Sequence, residues 1–443
     1  MKRYFLLGCA CFTITLSILA QNDPTTETQI PTKFTLESCL QYAEAHNFSL
    51  QSSALNVNAS QINYKQSREN IAPSVNGTIT QGLSANNYEK SLSWNGNYGI
   101  NAGMTLFNGL SNYNSIKQSK LQIEQSELEL EQAKNSIRIA ITQAFLNIMK
   151  NQDLLTYQED VLKSSKEQLE QGTQQFKVGQ ILESDFKMLQ AQYTSDLYNI
   201  ENTKINIQNS ILALKKQLSI DPSYEIEIVR PDSATLFKSL EIPALQEVVT
   251  RCNNYLPGLK ISNNDILNAQ YDVKLQKANY YPSLSMSAGI STGYNNTNGA
   301  DNLSWGKQVG HGLGEQVGLT LNVPIYQRSN VRHNVQLAEL RLQQAELEHQ
   351  ETEQEINQEI YQYYLLVQSA LNDFTVADAQ KEAYHANFET YSYKFKYGSV
   401  TTVDLIQQQT NYLNQLNQFM QAKYQFILER KILDVYMGVP VAF

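Results

Sequence analysis

The side chains that could take part in chemistry are few, and they do not form a recognisable catalytic set. None of the five histidines has a partner at a metal-ligand spacing: His46, His311, His333, His349 and His385. The sequence contains no nucleophile elbow and no P-loop. The glycine-rich segment 310–314 lies between two predicted strands, which favours an exposed loop over a phosphate-binding loop. We therefore expect no enzyme activity, no metal site and no cofactor.

The composition indicates long, uninterrupted elements in an acidic chain. The 443 residues carry a formal net charge of −9, and only 20 are Gly and 10 are Pro. So few chain-breaking residues argue against many short elements, and the acidic balance argues against a nucleic-acid partner. After residue 20 no apolar run is long enough to cross a bilayer as a helix, so any passage through a membrane would have to use strands.

The N-terminus has the pattern of an export signal. Lys2 and Arg3 precede an apolar stretch, and Ala20 is a small residue before a possible cleavage point. We predict a signal peptide over residues 1–20 and a mature chain outside the cytoplasm. Only Cys39 and Cys252 remain after cleavage. Two buried free thiols are favoured over a disulfide between them, although the sequence leaves the pairing open.

The mature sequence consists of two related halves. Pro73 corresponds to Pro282 at an offset of 209 residues, and the segment 176–179 corresponds to 395–398 at an offset of 219. An offset that jumps in places and holds elsewhere indicates a duplicated unit with variable loops. We predict a first repeat over 21–220, a linker or equatorial segment over 221–243 with a short strand near 224–229, and a second repeat over 244–443.

Each half contains two predicted strands. Between Ser91 and Leu106, apolar and small polar residues alternate, which is typical of a strand with one apolar face. The predicted strands are about 74–84 and 91–107 in the first half, and about 283–294 and 315–326 in the second. Strands of about ten residues can cross a bilayer at a tilt. The polar opposite face is expected of a water-filled lumen.

A very long helix follows each strand pair, over about 111–176 and about 329–396. At 1.5 Å per residue each would be a rod of about 100 Å. The apolar heptad positions of the first rod recur 219 residues later, with His349 and Lys381 as exceptions. Heptads require partner helices. The shorter predicted helices, about 34–72, 180–220, 243–281 and 399–436, can supply them if two lie end to end along each rod.

Four strands cannot close a barrel by themselves. An open sheet edge in lipid leaves backbone groups unpaired, at several kcal/mol each. The chain must then associate through its strands. Two copies would give eight strands and three would give twelve, and only the larger ring leaves a clear lumen. A transport function therefore favours a homotrimer.

Together these features resemble the TolC family of outer-membrane efflux and secretion channels. The resemblance rests on the duplication, the strand pairs after Pro73 and Pro282, the heptad helices and the two Phe-Lys-x-Gly segments, and it covers about 34–440. It implies a mostly α fold with a β portion: a trimeric, twelve-stranded outer-membrane β-barrel continued by a periplasmic α-helical coiled-coil barrel. The implied location is the outer membrane of a Gram-negative bacterium, extending into the periplasm.

The resemblance also implies a function and partners. The chain would be the passive exit duct of a tripartite efflux pump or a type I secretion system. It would be opened by docking of a periplasmic adaptor protein, which links it to an inner-membrane pump. The lipid bilayer would be a further partner. Whether the cargo is a drug, a metal ion or a secreted protein is not determined by the sequence.

Two groups of site residues follow from the resemblance. The helix-hairpin tips would contact the adaptor through Lys177, Val178, Gly179 and Gln180, and through Lys396, Gly398, Ser399 and Val400. Asp185 and Asp404, six residues after the tip glycines, match acidic positions near the family's periplasmic entrance. Three-fold repetition of Asp404 would favour cations, raise the pKa of the ring and allow block by multivalent metal ions. Alternatively, each aspartate only caps a helix.

The sequence departs from the family pattern at two positions. Gln407 stands where some members have a second acidic residue, and Val400 stands where some have a basic one. A salt-bridged gate is therefore doubtful. We expect closure to rest on the packing of Phe176, Phe395 and Tyr397 instead.

Two other classes of protein would explain part of the sequence pattern. An exported coiled-coil spacer or surface stalk without a pore would explain the heptads, but not four bilayer-length strands at matching places in two repeats. An adhesin with a small β-head would need variable polar loops, for which 84–90 and 294–314 could serve. Such loops are equally expected on the outer side of a barrel, so the joint pattern favours the channel.

Overall fold

The computed structural model describes residues 31–86, 88, 91–231, 241–298 and 303–440, so the predicted signal peptide lies outside the described residues. In chain order, the elements are β1 (Lys33–Phe34), α1 (Leu36–His46), α2 (Phe48–Glu69), β2 (Ser74–Asn86), β3 (Ser91–Asn108), α3 (Ser111–Lys177), α4 (Glu183–Leu218), β4 (Glu227–Ile228), α5 (Leu245–Tyr255), α6 (Pro257–Ala278), β5 (Ser283–Thr297), α7 (Trp305–His311), β6 (Gly314–Asn322), α8 (Asn330–Lys396) and α9 (Thr402–Tyr436). The predicted fold class is confirmed, because helices, two strands, a very long helix and a further helix occur in this order twice.

The four long strands form one antiparallel sheet in the order β2-β3-β5-β6. The register places Val75 opposite Ala102, Ala102 opposite Ala288, and Ala288 opposite Val317. Because directly opposite residues share a face, the apolar positions of all four strands lie on one side of the sheet. The sheet therefore has one apolar and one polar face across its full width.

The strands differ from the predicted ones near their ends. A bulge between Thr105 and Phe107 places Phe107 opposite Leu284 on the apolar face, where strict alternation would have put it on the polar face. The strand predicted to run to residue 326 ends at Asn322, so that prediction was wrong by four residues. Pro324 lacks the N–H group that a continuing ladder needs.

Two of the shorter predicted helices are each broken into two. The helix predicted over 34–72 breaks at Asn47, whose side chain accepts hydrogen bonds from the backbone N–H groups of Ser49 (2.9 Å) and Leu50 (3.2 Å) and starts α2. The helix predicted over 243–281 breaks at Leu256, which has ψ of 122°. Pro257 follows it, and a proline disfavours the helical conformation of the preceding residue.

The two long helices each pack against two shorter helices laid end to end, as predicted. Along α3, Ser126 contacts Ser60 of α2 (Oγ to Oγ, 2.7 Å), and further along Asn151 donates to Ser210 of α4 (3.1 Å). Along α8, the partners are α6 and then α9. With 67 residues each, α3 and α8 are about 100 Å long. No helix of the described ranges is long and apolar enough to cross a membrane.

The two polar exceptions in the heptad pattern have specific partners. The ring nitrogen Nδ1 of His349 lies 2.7 Å from Oγ of Ser262 in α6. The ammonium group of Lys381 lies 4.2 Å from the ring centroid of Phe419 in α9 and also forms an ion pair with Asp378. Each polar group is therefore paired at the helix seam, which limits the cost of placing it there.

The main hydrophobic core lies around the middle of the rods, where it includes the buried residues Phe145, Leu214 and Ile427. Beside it, β1 and β4 form a small parallel pair, so the strand predicted near 224–229 is reduced to Glu227–Ile228. Cys39 and Cys252 belong to this core and are unpaired. Burial raises the pKa of the Cys39 thiol to about 12 and that of Cys252 to about 11, as expected of unreactive thiols.

The turn from β3 into α3 depends on Gly109. Its φ is +65°, and a Cβ atom built there would lie well inside 3.0 Å of the carbonyl oxygen of Ala278 at the end of α6. We expect Gly109→Ala to lower the thermal unfolding midpoint of the detergent-solubilised protein, because a left-handed backbone costs an ordinary residue about 1–2 kcal/mol and the contact adds to that cost.

Two glycines serve as matched controls. Gly179 has φ of +73° with no atom near the Cβ position, whereas a Cβ at Gly103 would make only an ordinary contact, 3.9 Å from the Met286 carbonyl oxygen. We expect Gly103→Ala to have the highest unfolding midpoint, Gly179→Ala a lower one and Gly109→Ala the lowest. Equal midpoints for Gly179→Ala and Gly109→Ala would show that the close approach to Ala278 does not lower the stability.

Candidate functional site

The two helix hairpins end in the same backbone motif. In the first, Gly179 has φ of +73°, its N–H donates to the carbonyl oxygen of Phe176 (3.0 Å), and Gln180 N–H donates to that of Gln175 (2.8 Å). In the second, Gly398 has φ of +70° and makes the equivalent bond to Phe395 (3.0 Å). These are Schellman-type helix ends, which require a left-handed residue and therefore favour glycine. The duplicated glycines thus fix two tight tips of the same shape.

The proposed adaptor-contact residues are mostly on the surface of these tips. Val178 and Tyr397 are 69% and 65% exposed, and the side chains of Lys177 and Lys396 beside them are also exposed. Gln180 and Ser399 are exposed too. Val400 is the exception, because it is half-buried against the small apolar cluster near the tip that contains Phe395 and Leu405. The tips therefore present apolar and basic groups together.

Asp404 caps the helix α9. Its Oδ2 atom accepts hydrogen bonds from the backbone N–H (3.1 Å) and the hydroxyl (2.6 Å) of Thr401, whose hydroxyl oxygen accepts one from Asp404 N–H (3.1 Å). These bonds hold the pKa of Asp404 below its usual range. Within one chain, Asp404 thus has the capping role that the sequence left as the alternative. Its side chain is exposed.

The first tip has no equivalent cap. The helix α4 starts at Glu183, its N-cap residue Leu182 makes no side-chain hydrogen bond, and Asp185 lies half-buried in its first turn. Gln407, which replaces a second acidic residue of the family pattern, donates to the side-chain oxygen of Asn411 (3.0 Å). The two repeats therefore share the backbone of the tips but differ in the polar groups around them.

The three aromatic residues predicted to close the aperture occupy different environments. Phe176 stacks on Phe186 with the ring centroids 5.2 Å apart, and Tyr397 lies against Tyr393 at 4.8 Å. Both Phe176 and Tyr397 keep exposed surface. Phe395 is buried in the small apolar cluster near the tip. Phe395 is therefore used within its own chain, whereas Phe176 and Tyr397 keep part of their surface outside it.

A buried polar network near the tips escaped the sequence analysis. Asp196 of α4 accepts hydrogen bonds from Gln409 of α9 (2.7 Å), from Gln192 (2.9 Å) and from the hydroxyl of Ser165 in α3. Gln409 also donates to Ser165 Oγ (2.8 Å). The network joins three helices from both repeats. Burial raises the pKa of Asp196, although the three hydrogen bonds oppose that shift.

The burial of Asp196 could have been predicted from the sequence. It lies seven residues after Leu189 and four before Ile200, and all three side chains are buried. A heptad assignment of α4 would therefore have placed a carboxylate on the packed face of a helix. Such a placement is costly unless the carboxylate is hydrogen-bonded.

The polar face of the sheet carries no charged side chain in the described parts of its four strands. Its side chains are Ser, Thr, Asn, Gln and Gly. Asn97 and Asn101 lie across the neighbouring strand, so that a Cβ atom at Gly293 or Gly289 would come within 2.5 Å and 2.6 Å of their side-chain oxygens. These asparagines therefore lie flat over glycines and leave a neutral, hydrophilic surface.

The described residues contain no group of three or more His, Cys, Asp or Glu side chains placed to hold a metal ion.

Comparisons with known proteins agree with this architecture. A family model described as outer membrane efflux protein matches residues 39–219 and 257–439. Outer membrane protein TolC of Escherichia coli (strain K12) is 20% identical over 300 residues, covering 67% of this chain and 60% of that protein. The protein of the same name from Vibrio cholerae serotype O1 is 21% identical over 389 residues, covering 85% of this chain and 87% of that protein.

A solved structure shares the fold. The crystal structure of the Campylobacter jejuni CmeC outer membrane channel superposes with a TM-score of 0.77 at 18% identity, covering 91% of this chain and 85% of that chain.

The Asp196 network predicts a pH dependence of stability. Since the folded state raises the pKa of Asp196, the folded protein binds this proton more tightly than the unfolded chain. The free energy of unfolding therefore falls as the pH rises from the ordinary aspartate pKa, about 4, through the folded value. We expect Asp196→Asn to flatten this slope and to raise the unfolding midpoint at neutral pH by a few degrees.

Thermal unfolding in detergent at several pH values measures both effects. Asp373→Asn, at an exposed position of α8, is the matched control and should retain the wild-type slope. If Asp196→Asn also retained that slope, the carboxylate would not be titrating in the buried network.

Proposed function

The chain belongs to the outer membrane efflux protein family, and on that premise we propose that it is the outer-membrane channel of a tripartite efflux pump or a type I secretion system. Membership of this family places the protein in the outer membrane. The chain would act as a passive conduit without catalysis of its own. Its family and structural relatives are channel proteins.

The observation that carries this proposal is the two-faced sheet. Its apolar face is uncovered over much of its area, with Ile79 and Val317 exposed by 76% and 74%. Exposing so much contiguous apolar surface to water is unfavourable, whereas hydrocarbon removes the cost. The opposite face is neutral and hydrophilic. A sheet with lipid on one side and water on the other satisfies both faces.

The edges of the sheet support a homotrimer. Within the described chain, β2 and β6 each have only one neighbouring strand. In lipid, their free edges must pair with strands of other copies. Pairing β6 of one copy with β2 of the next would close a ring, and three copies supply twelve strands. A ring of that size leaves an open lumen.

The helical part would extend this lumen into the periplasm. The rods α3 and α8 are about 100 Å long, and their outer ends carry the glycine tips. We propose that a periplasmic adaptor docks on the apolar and basic groups of these tips, through Lys177, Val178, Gly179, Gln180, Lys396, Gly398, Ser399 and Val400. The adaptor would link the channel to an inner-membrane pump.

We infer from the charge pattern that selectivity lies at the tips. The sheet lining is uncharged, so a wide barrel lumen would be permissive. Asp404, repeated by three-fold symmetry, would place carboxylates around a narrower entrance, with Asp185 as a second acidic position. Phe176 and Tyr397 would pack between neighbouring tips in the closed state. This arrangement does not distinguish a drug, a metal ion or a secreted protein as the cargo.

The size and conductance of the purified protein test this proposal. We expect the mature chain, extracted with detergent, to have three chain masses by light scattering corrected for bound detergent. The same material should form ion-conducting pores in planar bilayers. A monomer or dimer that stays soluble without detergent would contradict the channel and favour the coiled-coil spacer without a pore.

The entrance role of Asp404 can be separated from its capping role. We expect Asp404→Asn to raise, several-fold, the divalent-cation concentration that blocks the pore, because the variant removes the carboxylate ring. Thr401→Ala is the matched control, since it removes the hydroxyl partner of the cap and keeps the carboxylate. Single-channel recordings should show wild-type block in the control. Equal block thresholds for Asp404→Asn and the wild type would remove Asp404 from the entrance.

A further inference from the structure

A short helix lies across the apolar face of the sheet. The ring of Trp305 in α7 is 6.5 Å, centroid to centroid, from the rings of both Tyr98 and Tyr294. The hydroxyl of Thr292 donates to the carbonyl oxygen of Val309 (2.6 Å). Tyr98 and Thr292 are directly opposite in the register, in a row of the apolar face. The described residues 303–313 therefore lie over the apolar face of the sheet and away from the polar face.

This arrangement creates an apolar groove beside α7. The groove has a volume of about 460 Å³ and is lined on the sheet side by Ile79, Ile100 and Ile290, with Leu313 on the side of the loop. Gly77 also lines it, and a Cβ atom at Gly77 would have no neighbour within 4 Å. The groove opens directly onto the uncovered apolar face, so that its walls continue the surface that we assign to lipid.

The depth of the groove follows from one charged residue and three aromatic residues around it. Glu315 lies opposite Ile290 on the apolar face. A carboxylate on a lipid-facing surface belongs near the boundary of the hydrocarbon. Tyr98, Tyr294 and Trp305 lie beyond that row, as expected of the aromatic girdle at a membrane interface. The helix α7 therefore lies at the level of the lipid headgroups, and the groove leads from there toward the hydrocarbon.

The helix α7 is polar on its other side. Lys307 and His311 are four residues apart and thus on one side of the helix, roughly opposite to Trp305. Both side chains are exposed. A lysine at this level can attract a lipid phosphate, whereas Trp305 and the groove accept apolar groups. One face of the segment is therefore suited to an acyl chain and the other to an anionic headgroup.

We propose that the groove beside α7 binds one acyl chain of an outer-leaflet lipid whose phosphate group lies near Lys307. The inference rests on the proposed function in one respect, namely that the apolar face of the sheet meets lipid. A second copy of this chain is a less suitable occupant, because copies would pair through the strand edges of β2 and β6, whereas the groove lies on the face of the sheet.

One native and one introduced tryptophan provide the test. The ring of Trp305 lies 6.5 Å, centroid to centroid, from that of Tyr98, which lines the groove. The substitution Leu319→Trp, on the apolar face opposite Met286 and on the hydrocarbon side of the Glu315 row, reports contact with lipid elsewhere. The full-length mature protein is reconstituted in bilayers that contain phosphatidylglycerol or phosphatidylcholine with brominated acyl chains. One sample carries Trp94→Phe and keeps Trp305, and the other carries Trp94→Phe, Trp305→Phe and Leu319→Trp. Bromine quenches the fluorescence of a tryptophan that it contacts.

We expect Trp305 to be half-quenched at an about fivefold lower mole fraction of brominated phosphatidylglycerol than of brominated phosphatidylcholine, the effect of one lysine near an anionic group. Lys307→Gln should abolish that preference. Gly77→Phe should fill the groove and reduce the quenching of Trp305. Val317→Phe, which adds the same ring on the apolar face outside the groove lining, should leave it unchanged.

The outcomes separate the two proposals. If the tryptophan at position 319 is quenched, but Trp305 is quenched equally by both lipids and Gly77→Phe has no effect, then Trp305 contacts only bulk lipid and the groove proposal is overturned. If neither tryptophan is quenched, the sheet does not meet lipid, and the channel proposal fails together with the groove.

Discussion

The pairing of backbone groups at the two edges of the sheet is the constraint on which the rest of the molecule depends. A four-stranded sheet with a lipid-facing side cannot leave the N–H and C=O groups of β2 and β6 unpaired, since each unpaired group in hydrocarbon costs several kcal/mol. Association through strands is the available remedy. The duplication contributes two strands per repeat, so each added copy enlarges the ring by four strands and keeps every edge identical.

The position of the strands also determines the position of the long helices α3 and α8. The helix α3 follows β3 through a tight turn at Gly109, and α8 follows β6 after the seven residues 323–329, so the position of the strands fixes where the rods begin. Further along, the rods pack against shorter helices laid end to end, and the main core lies near their middle. The two polar residues at heptad positions are paired, His349 with Ser262 and Lys381 with Asp378. The packing therefore specifies one register of the rods as well as holding them together.

The sequence predicted the elements that have a strong period and missed those that depend on single side chains. The alternation of β3 and the heptads of α3 placed these elements to within a residue or two, because their packing repeats along the chain. The breaks at Asn47 and Leu256 depend on one capping side chain and one proline. The sequence named both tips, yet it could not show that Phe395 points into its own chain, since the facing of a residue near a helix end is a tertiary property. Asp196 was missed because its partners lie on other helices.

The two repeats have kept the same backbone and diverged in polar chemistry. Both tips have a left-handed glycine with equivalent hydrogen bonds, but only the second carries the Thr401 and Asp404 cap. The positions 219 residues after Ser165 and Asp196 are Tyr384 and Gln415, so the buried carboxylate network exists once per chain. In a ring of three copies, capped and uncapped tips would therefore alternate. Six hairpins of one shape would thus present only three copies of each polar arrangement, and any recognition that depends on Asp404 would have three-fold symmetry, although the backbone approaches six-fold symmetry.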